Sequence, residues 1–336
     1  MATEERHNPF ATAQPAGDGT TLDQQERERL RAQPLWRVRL KLLAGTLWNN
    51  WKLFTENKIG LIGLAIILFY AGLALAHPLL MGRVWDPLIY DPVIGFDPLA
   101  APHPAPPSAQ HWLGTDPLGR DVLSQLMFST ASEFILGMVA ALITVTIGTS
   151  IGALAAYFGG WIDTFFMRLA DLVITLPAIV LLIVLGGLFT LDLPLLALVI
   201  GILSGFGATT VIIKSQALTI KVRTYVEAAW VAGGSHWHII LRHIIPNLLP
   251  LTFLYMMFTV TDAIFAEAIL SYFGLLNIRM SWGLMIHTTQ SAGYLLNFQT
   301  WWLIVPPGLS ITLLCAAFYL VGRALDEVVN PRLRKR

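Results

Sequence analysis

Six apolar runs, each near the twenty or so residues that an α-helix needs to cross a bilayer, constrain this chain more than any other feature. They are expected at about 59–76, 134–158, 165–189, 195–213, 248–270 and 302–321. Inside hydrocarbon every backbone N–H and C=O must be paired within its own segment, so such runs become helices. Of the 336 residues, 55% are hydrophobic and only 13% charged, against about 25% charged in soluble domains. The expected fold class is all-α, a polytopic membrane protein with six transmembrane helices.

The basic residues orient the spans. With the N-terminus cytoplasmic, only Arg83, Arg120 and Arg279 of the 22 Lys and Arg fall in exterior segments. The rest gather inside, as the positive-inside rule requires. Both termini are therefore expected to be cytoplasmic, with the protein a multi-pass component of the inner or plasma membrane.

The domain plan follows. Residues 1–33, polar and punctuated by Pro9, Pro15, Gly17 and Gly19, read as a disordered tail. No signal-peptide pattern opens the chain, so this tail is expected to stay on the side of synthesis. Residues 34–56 place Trp36, Leu40, Leu43, Leu47, Trp51 and Phe54 on one helical face, the pattern of an amphipathic helix lying on membrane lipid. Residues 57–132 hold the first span and a long exterior loop, whose Pro102–Pro107 centre cannot be helical. Residues 133–322 form a five-helix core that includes a cytoplasmic loop at 221–246, and 323–336 form a basic tail.

Several chemistries lack their residues. No Gly-x-x-x-x-Gly-Lys-Ser/Thr run is present, so no phosphate-cradling loop of that kind is expected. No Gly-x-Ser-x-Gly elbow occurs. His236 and His238 stand two apart on a predicted helix and face different ways, so with His243 they make a poor metal set. The single cysteine, Cys315, reads as a small apolar residue. No catalytic, cofactor-binding or metal-binding residue is assigned, and no nucleic-acid partner is expected.

Two regions stand out. Intramembrane carboxylates are expensive, and Asp262 lies mid-span in the fifth run with Glu267 nearer its outer end. Asp262, Thr259 and Met256 are candidate pathway-lining residues. The second region is the loop between the fourth and fifth spans. Glu227 favours a helix start, Ala228 and Ala229 favour its continuation, and Gly233-Gly234 ends it. Ser235 can cap a second turn, and Pro246 is tolerated in the first turn of the next span. Gly148, Gly152 and Ala156, with Gly201, Gly205 and Ala208, form small-residue stripes that permit close helix packing. Pro177 and Pro306-Pro307 are expected to kink the third and sixth spans.

The segment Glu227-Ala228-Ala229, three residues, Gly233, then Pro246 resembles the EAA loop of ABC-importer permeases. His243 and Ile245 stand where the common pattern has Ile and Leu, and Arg242-His243-Ile244-Ile245-Pro246-Asn247 is similar to the dipeptide/oligopeptide/nickel branch. Leu113-Gly114-Thr115-Asp116-Pro117-Leu118-Gly119-Arg120-Asp121 resembles the C-type subunit of that branch, as do Tyr157-Phe158-Gly159-Gly160-Trp161-Ile162-Asp163 and Ala266-Glu267-Ala268-Ile269-Leu270-Ser271.

This resemblance implies a type I ABC-importer permease fold. It implies an ATPase-coupling loop built on Glu227, Ala228, Ala229, Gly233, Arg242 and Pro246. The implied partners are a homologous second permease, two ATPase subunits carrying ATP and Mg, and an extracytoplasmic substrate-binding protein. The chain itself would carry no cofactor and would not be an enzyme. The competing expectation is a stand-alone secondary transporter that uses the intramembrane carboxylates.

Overall fold

The computed structural model describes residues 51–329 together with Gly45 and Trp48. The chain divides into two compact units, Met1–Leu53 and Phe54–Arg336. In the first unit Gly45, Trp48 and 51–53 are described, and all are helical. The tail expected at 1–33, and most of the amphipathic helix expected at 34–56, lie outside the described residues.

In the second unit the first span is α1, Lys58–Arg83, capped where the Asn57 side chain accepts from the Gly60 N–H at 3.0 Å. The second, α2, runs Val122–Phe158 and starts twelve residues before the expected boundary. Asp121 caps it, accepting from the Ser124 N–H at 2.6 Å. No Gly or Pro interrupts the chain between that cap and Gly137, so the helix propagates into the membrane without a break.

The third run is not one helix. It forms α3, Gly160–Thr175, and α4, Ala178–Leu188, bent by 77°. Pro177 forces the bend: Leu176 before it is extended at φ −84°, ψ 125°, as sterics with the proline ring require. The fourth run is α5, Leu193–Ser204, continued through a π turn at Gly205–Thr209 into α6, Thr210–Lys221. The loop helix is α7, Thr224–Val231.

The fifth run is helical from His236. It passes a π turn at Ile240–Ile244 into α8, Ile245–Tyr272. After it come α9, Trp282–Ser291, and α10, Val305–Val329. Pro306-Pro307 occupy the first turn of α10. They open this helix and do not kink it, because the first-turn N–H groups have no intrahelical acceptor to lose. α10 also runs past residue 323, the expected start of the basic tail.

Five helices among the described residues are long and apolar enough to cross a membrane, and counting the bent pair α3–α4 as one span makes six. The chain is a multi-pass membrane protein. α2 is its hub, packing on α1, α5, α6 and α8, while α10 packs on α1 and α8. The small-residue stripes are used within the chain. A Cβ on Gly201 would meet Ile143 Cβ at 2.6 Å, and one on Gly152 would meet the Lys214 backbone N at 2.9 Å. Both stripes therefore seat the α5–α6 run against α2 by van der Waals contact, the main attraction available where lipid and side chains are equally apolar.

The connection between α1 and α2 is ordered by polar contacts. His111 is buried and sits between two carboxylates, with Nδ1 2.8 Å from Asp121 and Nε2 3.0 Å from Asp97. Asp116 takes Arg120 at 2.6 Å and the Gln125 amide at 3.0 Å. Trp302 Nε1 donates to the Thr115 carbonyl at 3.2 Å, tying the connection to the start of α10. The Gly119-Arg120-Asp121 segment thus serves as a cap and clasp for α2.

Candidate functional site

The α7 loop stands on a rigid base. Beneath it Val226, Ile239, Ile240, Ile244 and Leu248 join Ala153, Ile213, Ala217 and Ile220 in one buried apolar cluster. Lys221 ends α6 and donates from Nζ to the Ala156 and Tyr157 carbonyls at 3.1 and 2.8 Å. Those carbonyls belong to the last turn of α2, where unpaired acceptors and the helix dipole both favour a cation. Tyr157 in turn shares a 2.8 Å hydrogen bond with His236 Nδ1. The start of the fifth span, the end of the fourth and the end of the second are locked together under α7.

α7 ends as expected. Gly233 takes φ +81°, a left-handed conformation that costs glycine little. The Gly234 N–H returns to the Ala229 carbonyl at 3.0 Å, closing the helix end. Ser235 caps the next turn through the His238 N–H at 3.3 Å. Pro246 lies in the first turn of α8, although the chain is already helical before it. The π turn at Ile240–Ile244 takes up the register change, and Asn247 Nδ2 donates to the His243 carbonyl at 2.7 Å.

Of the predicted coupling residues, Glu227, Ala228, Gly233, Arg242 and Pro246 are exposed and Ala229 is half-buried. They share this surface with Tyr225, Trp230, Val231, Trp237 and Leu241, all exposed and apolar. A hollow of about 360 Å³ lies beside Glu227, between Trp230, His236, Tyr157 and Lys221. Exposed aromatics ringing a charged, stiffly held helix resemble the composition of a protein interface. His236 partners Tyr157, whereas the His238 and His243 rings meet edge to face with centroids 5.6 Å apart, and no three potential metal ligands cluster among the described residues.

The pathway candidates separate. Asp262 is exposed on α8 and opens into a hollow of about 270 Å³ walled by α4 and α5 residues including Leu182, Ile200 and Leu203. Thr259 and Met256 are buried. Met256 packs in the central apolar cluster with Tyr70 and Trp282, and the Thr259 hydroxyl donates back to the Tyr255 carbonyl at 3.0 Å. The structure does not bring these two to Asp262's hollow. Glu267 is fully buried, and beside it lies Glu133 of α2, equally buried.

Sequence reasoning placed Glu133 just outside the second span and so missed it. The Asp121 cap, with no helix breaker before Gly137, was the signal that could have put Glu133 inside the helix.

Residues 148–335 match the model of the family described as "Binding-protein-dependent transport system inner membrane component". The chain is 32% identical over 293 residues to the dipeptide transport system permease protein DppC of Bacillus subtilis (strain 168), covering 85% of this chain and 86% of that one. It is 31% identical over 298 residues to the oligopeptide transport system permease protein OppC of the same organism, covering 86% and 91%. It is 30% identical over 230 residues to the glutathione transport system permease protein GsiD of Pectobacterium atrosepticum, covering 68% and 75%. These relatives are all named as permease proteins of transport systems. The chain therefore belongs to the binding-protein-dependent inner-membrane permeases of ABC importers, as a transport subunit and not an enzyme.

Proposed function

We propose that this permease forms half of the translocation pathway of an ATP-driven importer for peptides or related small solutes, and that α7 is the helix through which ATPase subunits drive it. In this reading both termini and α7 face the cytoplasm. A homologous permease supplies the other half of the pathway, and a substrate-binding protein delivers cargo on the opposite side. ATP and Mg belong to the two ATPase subunits. The cargo classes follow the printed names of the relatives, which are dipeptide, oligopeptide and glutathione permeases.

One observation carries the reading. α7 offers an exposed carboxylate and exposed aromatics, yet is fixed from below to the ends of three spans. Force applied to such a helix reaches α2, α6 and α8 without being absorbed by a slack loop. Asp262, in its hollow, is the residue proposed to face the pathway.

Cross-linking tests the docking half of the proposal. With Cys315 replaced by serine, Ala228→Cys should form a bifunctional-maleimide cross-link to a co-purifying ATPase subunit, whereas a cysteine introduced at Leu99 in the connection between α1 and α2 should not. A cross-link from position 99 and none from 228 would overturn the assignment of sides. Purification of an active transporter with no ATPase subunit would favour a stand-alone secondary transporter.

A further inference from the structure

Glu133 on α2 and Glu267 on α8 are 1% and 0% exposed, and their carboxyls lie within hydrogen-bonding reach of one another. Their surroundings differ. Glu267 Oε1 accepts from the Ser271 hydroxyl one turn on. Its carboxyl also meets the hydroxyl of Ser281, whose own oxygen accepts from the Leu284 N–H at 3.1 Å as the N-cap of α9. Glu267 therefore stands at the positive end of a ten-residue helix, with two hydroxyl donors, in the setting that suits an anion.

Glu133 has none of this. Neither of its oxygens has a donor, and Glu267 Oε2 has none either. The remaining titratable neighbour is the Cys315 thiol of α10, and no basic group adds to the field on either carboxyl among the described residues. Three buried carboxylate oxygens with no donor from the protein are costly to leave charged. A proton on Glu133 directed at Glu267 Oε2 accounts for two of these oxygens at once, as donor and acceptor, and leaves only the neutral carbonyl oxygen of the Glu133 acid without a partner. Closely placed carboxyls in other proteins share a proton in this way.

We infer that Glu133 and Glu267 form a one-proton site, in which Glu133 is the neutral acid and donates to the free oxygen of a Glu267 carboxylate held by Ser271, Ser281 and the start of α9. The site fastens the second span, the fifth span and α9 at one point. Its ligand is a proton, because no third metal-ligating side chain joins the two carboxyls among the described residues and neither glutamate opens to solvent.

The test uses the full chain in lipid nanodiscs at neutral pH, read by infrared spectroscopy in H2O and D2O. Wild type should show the C=O stretch of a protonated carboxylic acid, shifted when the protein carries 13C-glutamate. The band should vanish in Glu133→Gln and persist in Asp262→Asn. Glu133→Gln should also keep the wild-type melting temperature, because its amide still donates to Glu267, whereas Glu133→Met should melt roughly 2–4 °C lower.

A band that survives Glu133→Gln, vanishes in Asp262→Asn, or ignores the glutamate label would overturn the proposal. So would a Glu133→Met variant as stable as Glu133→Gln. A wild-type melting temperature that rises with sodium but not with choline chloride would replace the proton by a cation. Should neither variant accumulate, the isotope shift in wild type decides alone.

Discussion

At the residue scale the clearest chemistry lies outside the spans, at His111. Both ring nitrogens face carboxylate oxygens, so both must carry hydrogen, and the residue is an imidazolium. The hydrogen bond to Asp121 holds its pKa above the ordinary histidine value, helped by Asp97 and opposed by burial. Burial works to raise the pKa of Asp97, but His111 and the Leu99 and Ala100 N–H groups outweigh it and hold the carboxyl below its usual range.

The signs follow from linkage. The histidine contribution is complete below the unfolded histidine pKa and is lost as pH rises through the raised folded value. The aspartate contribution is complete above the unfolded aspartate pKa and is lost as pH falls through the lowered one. Amide-exchange protection over 97–121, with the intrinsic pH dependence of exchange divided out, should therefore be greatest between those limits and fall on either side. Removing the imidazolium with His111→Gln should abolish the alkaline limb. An exchange profile unchanged by that substitution would show that the connection is held by something else.

Lys221 belongs to the same scale. Replacing it with methionine keeps the stem but leaves the Ala156 and Tyr157 carbonyls without their donor, a loss of about 1–3 kcal/mol when such groups stay buried. The expected outcome is a lower melting temperature and faster amide exchange in α7, with the spans intact by circular dichroism. Trypsin access to Arg223 would report the same loosening.

At the scale of elements, the spans were legible because hydrocarbon leaves one solution for an apolar run. Pro177 announced its bend and Ser235 announced its helix start, the one through local sterics and the other through one side-chain oxygen. The π turns before Thr210 and Ile245 had no such signal, because they answer packing between distant segments. The same holds for the His111 clasp: its two aspartates sit 14 and 10 residues away, and only the folded connection brings them together. Glu133 was missed for a related reason. Hydropathy ends a span at the first charge, while a helix continues until its backbone is interrupted.

The glycine stripes give the element scale its prediction. Gly152→Ala places a methyl 2.9 Å from the Lys214 backbone N, which cannot move aside like a flexible side chain. It should cost about 1–3 kcal/mol, visible as a lower melting temperature. Gly187→Ala, in open space, is the matched control and should change little.

At the scale of the whole molecule, the chain joins the surface proposed for coupling to a membrane interior through α2, α6 and α8. The α7 loop was legible as a stiff helix–turn–helix, and the coupling role proposed for it rests on the ordered set of matching segments. What could not be read was the base beneath it, the Lys221, Tyr157 and His236 contacts that brace the loop against the ends of the spans. The pathway was less legible still: of three residues on one run, the fold leaves Asp262 open and buries Thr259 and Met256.

The central claim is that α7 transmits ATPase work to the pathway, and Glu227→Ala tests it most directly. Its carboxylate is exposed and has no part in the buried base, so folding should survive its loss. In proteoliposomes holding the assembled importer, substrate-stimulated ATP hydrolysis and uptake should fall together by roughly five- to tenfold, the low end of couplings between linked sites, while melting temperature and subunit stoichiometry hold. Uptake and stimulated hydrolysis equal to wild type would contradict the account.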